Sequence, residues 1–265
     1  MVRTNSQQRL APLAAVRAYL SVAVFVAAGF GGLWWYRLTA WLRGPSPDRA
    51  TRSLQRWYRR AWPLLRLRVA VDGAVPAEPC VVVANHRSYL DVPVLAGVLG
   101  ATFLSRADVA DWPLVGPVAR AIDAVFVDRD DPRGRMRAAR TLLRRVRTAS
   151  VVVFPEGTTT GERLPAPFEP GVFRLVHRVD VPVVPVTIRY SDRRVYWVED
   201  LSLWQHLRAR VYTGPPLRVA VHIGAPLRAA DHADSEALAA AVYAAVCAPI
   251  ERCGEVVGVA PTLVG

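Results

Sequence analysis

The chain has 265 residues, enough for one large α/β domain or two small ones with a substantial core. A hydrophobic fraction of 52% and a mean hydropathy of +0.18 exclude a polytopic membrane protein, yet leave room for one membrane-attached segment. The formal charge is +12 and every basic residue is Arg; with no zinc-ligand spacing and no aromatic RNA-binding pattern, the charge suits an anionic bilayer or acidic substrates, and nucleic acid is not expected.

The first recognisable element is Ala18 to Tyr36, which carries no charge and is bracketed by Arg17 and Arg37. As a helix it measures roughly 28 Å, just enough to cross a hydrocarbon core. It ends in Trp34-Trp35-Tyr36, which suits the headgroup interface rather than a signal-peptide cleavage site. Arginines stand on both sides, so charge does not fix an orientation, and Gly29, Gly31 and Gly32 weaken a straight helix. A span, a segment lying in one leaflet, a hairpin and a buried core helix all fit this stretch. Gly44-Pro45-Ser46-Pro47 then breaks the chain, and a second helix is expected from Arg49 to Trp62, stopped by Pro63. Its mixture of Trp, Tyr and Arg fits either a membrane surface or ordinary packing.

From Arg66 the pattern changes. Strands are expected at Leu67–Val71, Cys80–Ala84, Thr102–Leu104, Ala124–Val127, Ser150–Phe154, Val183–Arg189 and Leu217–Ile223. Several are continuous apolar runs, the mark of strands buried on both faces. Helices are expected between them at Val92–Leu99, Val115–Ile122, Arg133–Arg147, Val172–Val179 and Ser235–Cys247. The alternation predicts an α/β fold with a mostly parallel central sheet flanked by helices, preceded by an N-terminal membrane-associated helical segment. The division is residues 1–65 as anchoring helices, 66–253 as the α/β domain and 254–265 as a tail. Cys80, Cys247 and Cys253 are an odd set without metal-like pairing, so a reduced compartment and no metal site are expected.

The chemistry gathers where apolar strands end in polar residues, as it does at the carboxyl edge of a parallel sheet. The run Cys80 to Ala84 leads into Asn85-His86-Arg87-Ser88-Tyr89-Leu90-Asp91. Ser88 is placed to cap the next helix, and a turn can fold Asp91 back onto the imidazole. One ring nitrogen would then be held by a carboxylate and the other left to take a proton. That is the base and its orienter without a protein nucleophile, so the nucleophile is the substrate's own hydroxyl. Val125-Phe126-Val127-Asp128-Arg129 ends in a guanidinium that suits either a planar fork for a phosphate or a surface Arg of an Arg-rich chain. In Phe154-Pro155-Glu156-Gly157-Thr158, Gly157 admits a ligand close to the backbone and Thr158 can donate a hydrogen bond. Val181-Pro182-Val183-Val184-Pro185-Val186 suits either the wall of a channel for a chain-like substrate or a strand entry.

In this order the four segments resemble the glycerolipid acyltransferase family, whose type member is 1-acylglycerol-3-phosphate acyltransferase. The family's Asn-His-x-Ser-x-x-Asp block is matched by Asn85 to Asp91. Its later blocks are matched by Val125 to Arg129, Phe154 to Thr158 and Val181 to Val186. Arg106 through Trp112-Pro113-Leu114-Val115-Gly116 and Val221 to Leu227 fit as well, so the likeness covers about Arg66 to Leu227. It implies that His86 deprotonates an acceptor hydroxyl and that Asp91 holds the imidazole. It implies substrate binding by Asn85, Ser88, Arg106, Arg129, Glu156, Gly157 and Thr158, and an acyl channel at Val181, Pro182 and Pro185. The donor is acyl-CoA or acyl-carrier protein, with no metal or redox cofactor. The acceptor is a lyso-lipid, foremost lysophosphatidic acid, at the cytoplasmic face of a bacterial inner membrane. The sequence departs from the pattern at Thr159-Thr160-Gly161-Glu162-Arg163, where a basic residue often follows, and at Phe168-Glu169-Pro170-Gly171, where a Lys becomes Glu. The Phe-Pro-Glu-Gly-Thr-Thr version is similar to the branch that acylates lyso-ornithine lipid, the second acceptor considered. A membrane-bound thioesterase and a non-catalytic lipid carrier are the other classes; a Gly-x-Ser-x-Gly elbow is missing, which counts against a serine lipase.

Overall fold

The computed structural model describes residues 5–112, 115–198, 203–206, 210–211 and 214–252. Helix α1 (Asn5–Arg43) runs unbroken through the uncharged stretch. Its glycines do not break it, and Gly29 and Gly32 face the Trp57 ring of the next helix. Helix α2 (Pro47–Ala61) starts two residues before the expected Arg49. Ser46 accepts a hydrogen bond from the Arg49 amide at 3.3 Å, and Pro47 has the backbone angle a first helical residue needs. Among the described residues no helix is long and apolar enough to cross a membrane.

Seven strands follow, each on an expected apolar run: β1 (Leu67–Asp72), β2 (Val81–Ala84), β3 (Thr102–Arg106), β4 (Val125–Val127), β5 (Val151–Val153), β6 (Val183–Tyr190) and β7 (Leu217–Ile223). They form one sheet in the order β1-β7-β6-β2-β5-β3-β4. All neighbours are parallel except β6 and β7. The pair β1–β7 therefore runs against the other five strands.

The helices between them are α3 (Asp91–Leu99), α4 (Val115–Ala121), α5 (Pro132–Arg145), α6 (Gly171–His177), α7 (Leu203–His206) and α8 (Ser235–Arg252). Alternation along β2 assigns the two faces. Val82 and Ala84 join the core under α2, α3 and α4, whereas Val81 and Val83 join the core under α5, α6 and α8. Helix α2 is held to α3 by polar contacts as well: Arg59 donates to the Gly97 carbonyl at 2.7 Å and Trp62 Nε1 to the Pro93 carbonyl at 3.1 Å. The expected tail at 254–265 and Cys253 lie outside the described residues; Cys80 and Cys247 are buried free thiols.

Candidate active site

Strand β2 stops at Ala84, and the Asn85 side chain takes over the next backbone pairing. Its amide donates to the Ile188 carbonyl at 3.0 Å and its oxygen accepts from the Ile188 amide at 2.7 Å. Fully buried and spent on β6, Asn85 positions the turn rather than facing solvent. The turn that follows folds Asp91, the first residue of α3, back beneath His86. Asp91 Oδ2 lies 2.8 Å from His86 Nδ1 and accepts the amides of Arg87 at 2.6 Å and Ser88 at 2.9 Å. Asp91 Oδ1 accepts the Tyr190 hydroxyl at 2.6 Å. With donors converging on both oxygens, Asp91 is placed to hold the imidazole through Nδ1, which leaves Nε2 outside this contact. Asp91 has no exposure, and the His86 side chain keeps 20%. Ser88 is buried and does not cap α3; its hydroxyl accepts from the Leu90 amide at 3.3 Å.

A second carboxylate fixes the same turn from the β5 side. Glu156, 7% exposed, accepts the His86 amide at 2.6 Å on one oxygen. Its other oxygen accepts the Thr160 hydroxyl and the Ala166 amide, both at 2.9 Å. Thr160 also receives the Arg87 guanidinium, which reaches the Arg163 carbonyl at 3.0 Å and stands 5.5 Å from the Tyr196 ring centroid. Arg87 is 1% exposed, so this charge is compensated through Thr160 and carbonyl dipoles rather than by solvent. The Phe154 ring stacks on the imidazole with centroids 4.2 Å apart.

His86 opens into a largely apolar cavity of about 900 Å³ enclosed by α1, α2, α4 and the strand ends. Arg106, Arg129, Gly157 and Thr158 line it. Arg106 ends β3 and pairs with Asp108 at 3.0 Å. Arg129 lies just past β4 and donates to the Gly157 carbonyl at 2.7 Å. Gly157 has φ +75°, and a Cβ there would stand 2.8 Å from Arg129 Nη1, so a side chain here would strain the backbone and push the Arg129 guanidinium aside. Tyr58 belongs to the same wall, and desolvation pushes its hydroxyl up to about 12.

The structure does not bring the remaining expected residues to the cavity. Asn85, Ser88 and Glu156 lie behind the turn. Val181, Pro182 and Pro185, expected along an acyl channel, form the entry to β6 instead. The Pro182 carbonyl accepts from Val81 at 2.9 Å, the Pro185 carbonyl accepts from Gly224 at 2.9 Å, and Val181 packs in the core under α5, α6 and α8. That core lies on the other face of the sheet. The apolar room stands under α1 and α2.

The geometry has counterparts among known proteins. Residues 66–189 match the model of the family described as Acyltransferase. The lyso-ornithine lipid O-acyltransferase of Pseudomonas aeruginosa is 33% identical over 188 residues, 69% of this chain and 73% of that protein. The chain belongs to the glycerolipid acyltransferase family. A chloroplast 1-acyl-sn-glycerol-3-phosphate acyltransferase of Brassica napus is 35% identical, over 42% of the chain and 33% of that protein. The crystal structure of the 1-acyl-sn-glycerophosphate acyltransferase of Thermotoga maritima shares the fold, with a TM-score of 0.73 over 92% of this chain and 96% of that one at 22% identity.

Three side chains of this acyltransferase's site escaped the sequence reading. Tyr190 stands 99 positions from Asp91, and only the β2–β6 pairing brings it near. Burial first, and the Asp91 charge second, raise its hydroxyl well above its ordinary range, so it stays a donor. Arg87 fell on a variable position of the first block. Phe154 read as the last residue of a strand. The available signal was that Arg87 and Phe154 lie inside recognised blocks and Tyr190 four residues beyond one.

Proposed function

We propose that the enzyme transfers a fatty acyl group from an acyl thioester to the free hydroxyl of a lyso-lipid, with His86 as base and Asp91 as its orienter. The carrying observation is the His86–Asp91 pair at the wall of a large apolar cavity, engaged through Nδ1 so that Nε2 is left outside the contact. Among the described residues no serine or cysteine side chain is hydrogen-bonded to His86, so the attacked acyl group meets the acceptor's hydroxyl directly. His86 Nε2 takes the hydroxyl proton as the oxygen adds to the thioester carbonyl. Asp91 stabilises the imidazolium. Collapse breaks the C–S bond, and the imidazolium returns the proton to the departing sulfur. The new C–O bond makes the ester.

Arg129 and Arg106 stand at the strand ends flanking this base and are placed to receive an anionic head group. Arg106 is already paired with Asp108, which leaves both signs of charge at the cavity wall. A zwitterionic lyso-ornithine lipid suits that wall better than the phosphate monoester of lysophosphatidic acid, and the relatives from Pseudomonas aeruginosa and Rhodobacter capsulatus bear the name lyso-ornithine lipid O-acyltransferase, at 33% and 36% identity. Exposed Phe30, Trp34, Trp35 and Trp41 on α1 support contact with a bilayer, the expected one being the cytoplasmic face of the inner membrane.

The test is transfer of radiolabelled acyl chains by the detergent-solubilised protein, from acyl-CoA and acyl-carrier protein, to lyso-ornithine lipid and lysophosphatidic acid. Label should enter lyso-ornithine lipid and fall by about 10³-fold in His86→Ala. Label entering lysophosphatidic acid alone would replace the head group. Release of free fatty acid alone would make the enzyme a hydrolase, and no turnover from folded protein would leave a lipid carrier.

A further inference from the structure

Helix α5 lies just beyond Arg129, and its composition is extreme. Residues 132–147 contain seven arginines and no Asp or Glu. Gly134, Ala138, Leu142 and Arg145 make the buried side. Arg133, Arg137, Arg140 and Arg144 recur at spacings of four, three and four, so they form one exposed stripe about 17 Å long on a different side of the helix. Met136, 56% exposed, lies beside it. Asp131 pairs with Arg137 at 3.0 Å; the other three have no acidic partner among the described residues. The start of the helix is tied to the active-site wall, because the Arg135 guanidinium donates to the carbonyl of Arg129.

We propose that this stripe docks an acidic acyl-carrier protein, and that this partner delivers the thioester to the neighbouring cavity. The inference rests on the acyl-transfer reading above. Three unpaired like charges in line match an acidic helix, whereas the nucleotide of coenzyme A would need its cations clustered at one spot. An anionic bilayer is the other partner such charge could meet. Helix α5 packs in the layer with α6 and α8, on the face of the sheet opposite α2, and it is α2 that carries α1 with its exposed aromatics. Arg145, in the last turn of α5, lies 3.8 Å from Asp48 at the start of α2, so the two layers meet at that end; a membrane held by α1 stands away from the other end of the stripe, at Arg133 and Arg137. Met136 supplies the apolar contact a protein partner would cover.

The test uses the full chain with Arg133→Glu, Arg140→Glu and Arg144→Glu combined, and a milder set with Gln at the same positions. Binding of acyl-carrier protein is measured by titration calorimetry, and initial rates are taken with acyl-carrier protein and with acyl-CoA as donors. In the Glu set KM for the carrier protein should rise at least about tenfold at unchanged kcat, with calorimetric affinity falling in step. The Gln set should show a smaller rise in the same direction, which separates lost charge from lost folding. Rates with acyl-CoA should hold. Unchanged carrier-protein affinity in the Glu set, or equal loss with both donors, would overturn the proposal. So would loss of binding to phosphatidylglycerol vesicles with carrier-protein kinetics intact. Carrier-protein binding without transfer to any acceptor would sink the acyl-transfer reading and keep the docking surface; transfer from acyl-CoA without carrier-protein binding would do the reverse.

Discussion

Removal of the Tyr190 hydroxyl tests whether the hold on Asp91 matters to catalysis. In Tyr190→Phe the ring keeps its packing against Tyr196, at a centroid distance of 6.4 Å, and only the bond to Asp91 Oδ1 is lost. Among the described residues Tyr190 is the one donor on that oxygen, whereas Oδ2 keeps the Arg87 and Ser88 amides and His86. A hydrogen bond to a buried charge contributes about 1.5–3 kcal/mol, so the variant should unfold roughly 3–10 °C earlier. Its catalytic part arises because the carboxylate gains a rotation that the imidazolium must then tolerate. If about 1.4 kcal/mol of the loss falls on the transition state, kcat drops about tenfold while KM for donor and acceptor stays put. Steady-state kinetics well below the melting temperature read both numbers. A variant with kcat within twofold of wild type, though measurably less stable, would show that Tyr190 supports the fold and leaves the base alone.

Three further outcomes are expected. Gly157→Ala puts a Cβ onto Arg129 at a positive φ, so Arg129 should move and KM for the acceptor rise severalfold with little change in kcat; an unaltered KM would remove Arg129 from the acceptor's path. Arg87→Lys loses the planar fork that spans Thr160 and the Arg163 carbonyl, and should cost about 3 kcal/mol in urea unfolding; a cost below about 0.5 kcal/mol would show that the fork anchors nothing. Stability should fall with alkalinity through Tyr58. Its hydroxyl ionises near 10 when unfolded and near 12 when folded, so both states keep the proton below pH 10 and only the unfolded chain loses it above. The wild type should lose up to about 2 kcal/mol over that window relative to Tyr58→Phe, and parallel profiles in the two proteins would contradict the burial of this hydroxyl.

What the sequence disclosed divides along physical lines. The strands were legible because several are short continuous apolar runs, and β2 in particular reads Val81-Val82-Val83-Ala84 with nothing polar on either face. The His86–Asp91 contact was legible because a five-residue separation lets one turn close it. Sheet order was not legible, nor the reversal of β7, since pairing depends on where loops carry the chain and apolar runs look alike in either direction. Val181, Pro182 and Pro185 illustrate the limit: an apolar pattern predicts burial and is silent on which face is buried. Glu156 shows another. The sequence marked it as exposed chemistry at a strand end, yet three donors draw it inward as a brace. A second His–Asp contact, His222 with Asp72 at 2.7 Å, lies outside the cavity on β7 and β1, so such a pair alone is no sign of a site.

The alternation of β2 has a consequence for how this enzyme can vary. Val82 and Ala84 point to the cavity side, and His86 continues that even-numbered series into the cavity. Asn85, gripping Ile188 from both ends of its amide, stops the strand from sliding past β6. Adding or deleting one residue between Val81 and Ala84 would change the parity of the strand and deliver the imidazole to the far side of the sheet, into the core under α5 and α8. Two residues would restore the side but overshoot the rim. The placing of His86 is thus counted in whole residues along β2.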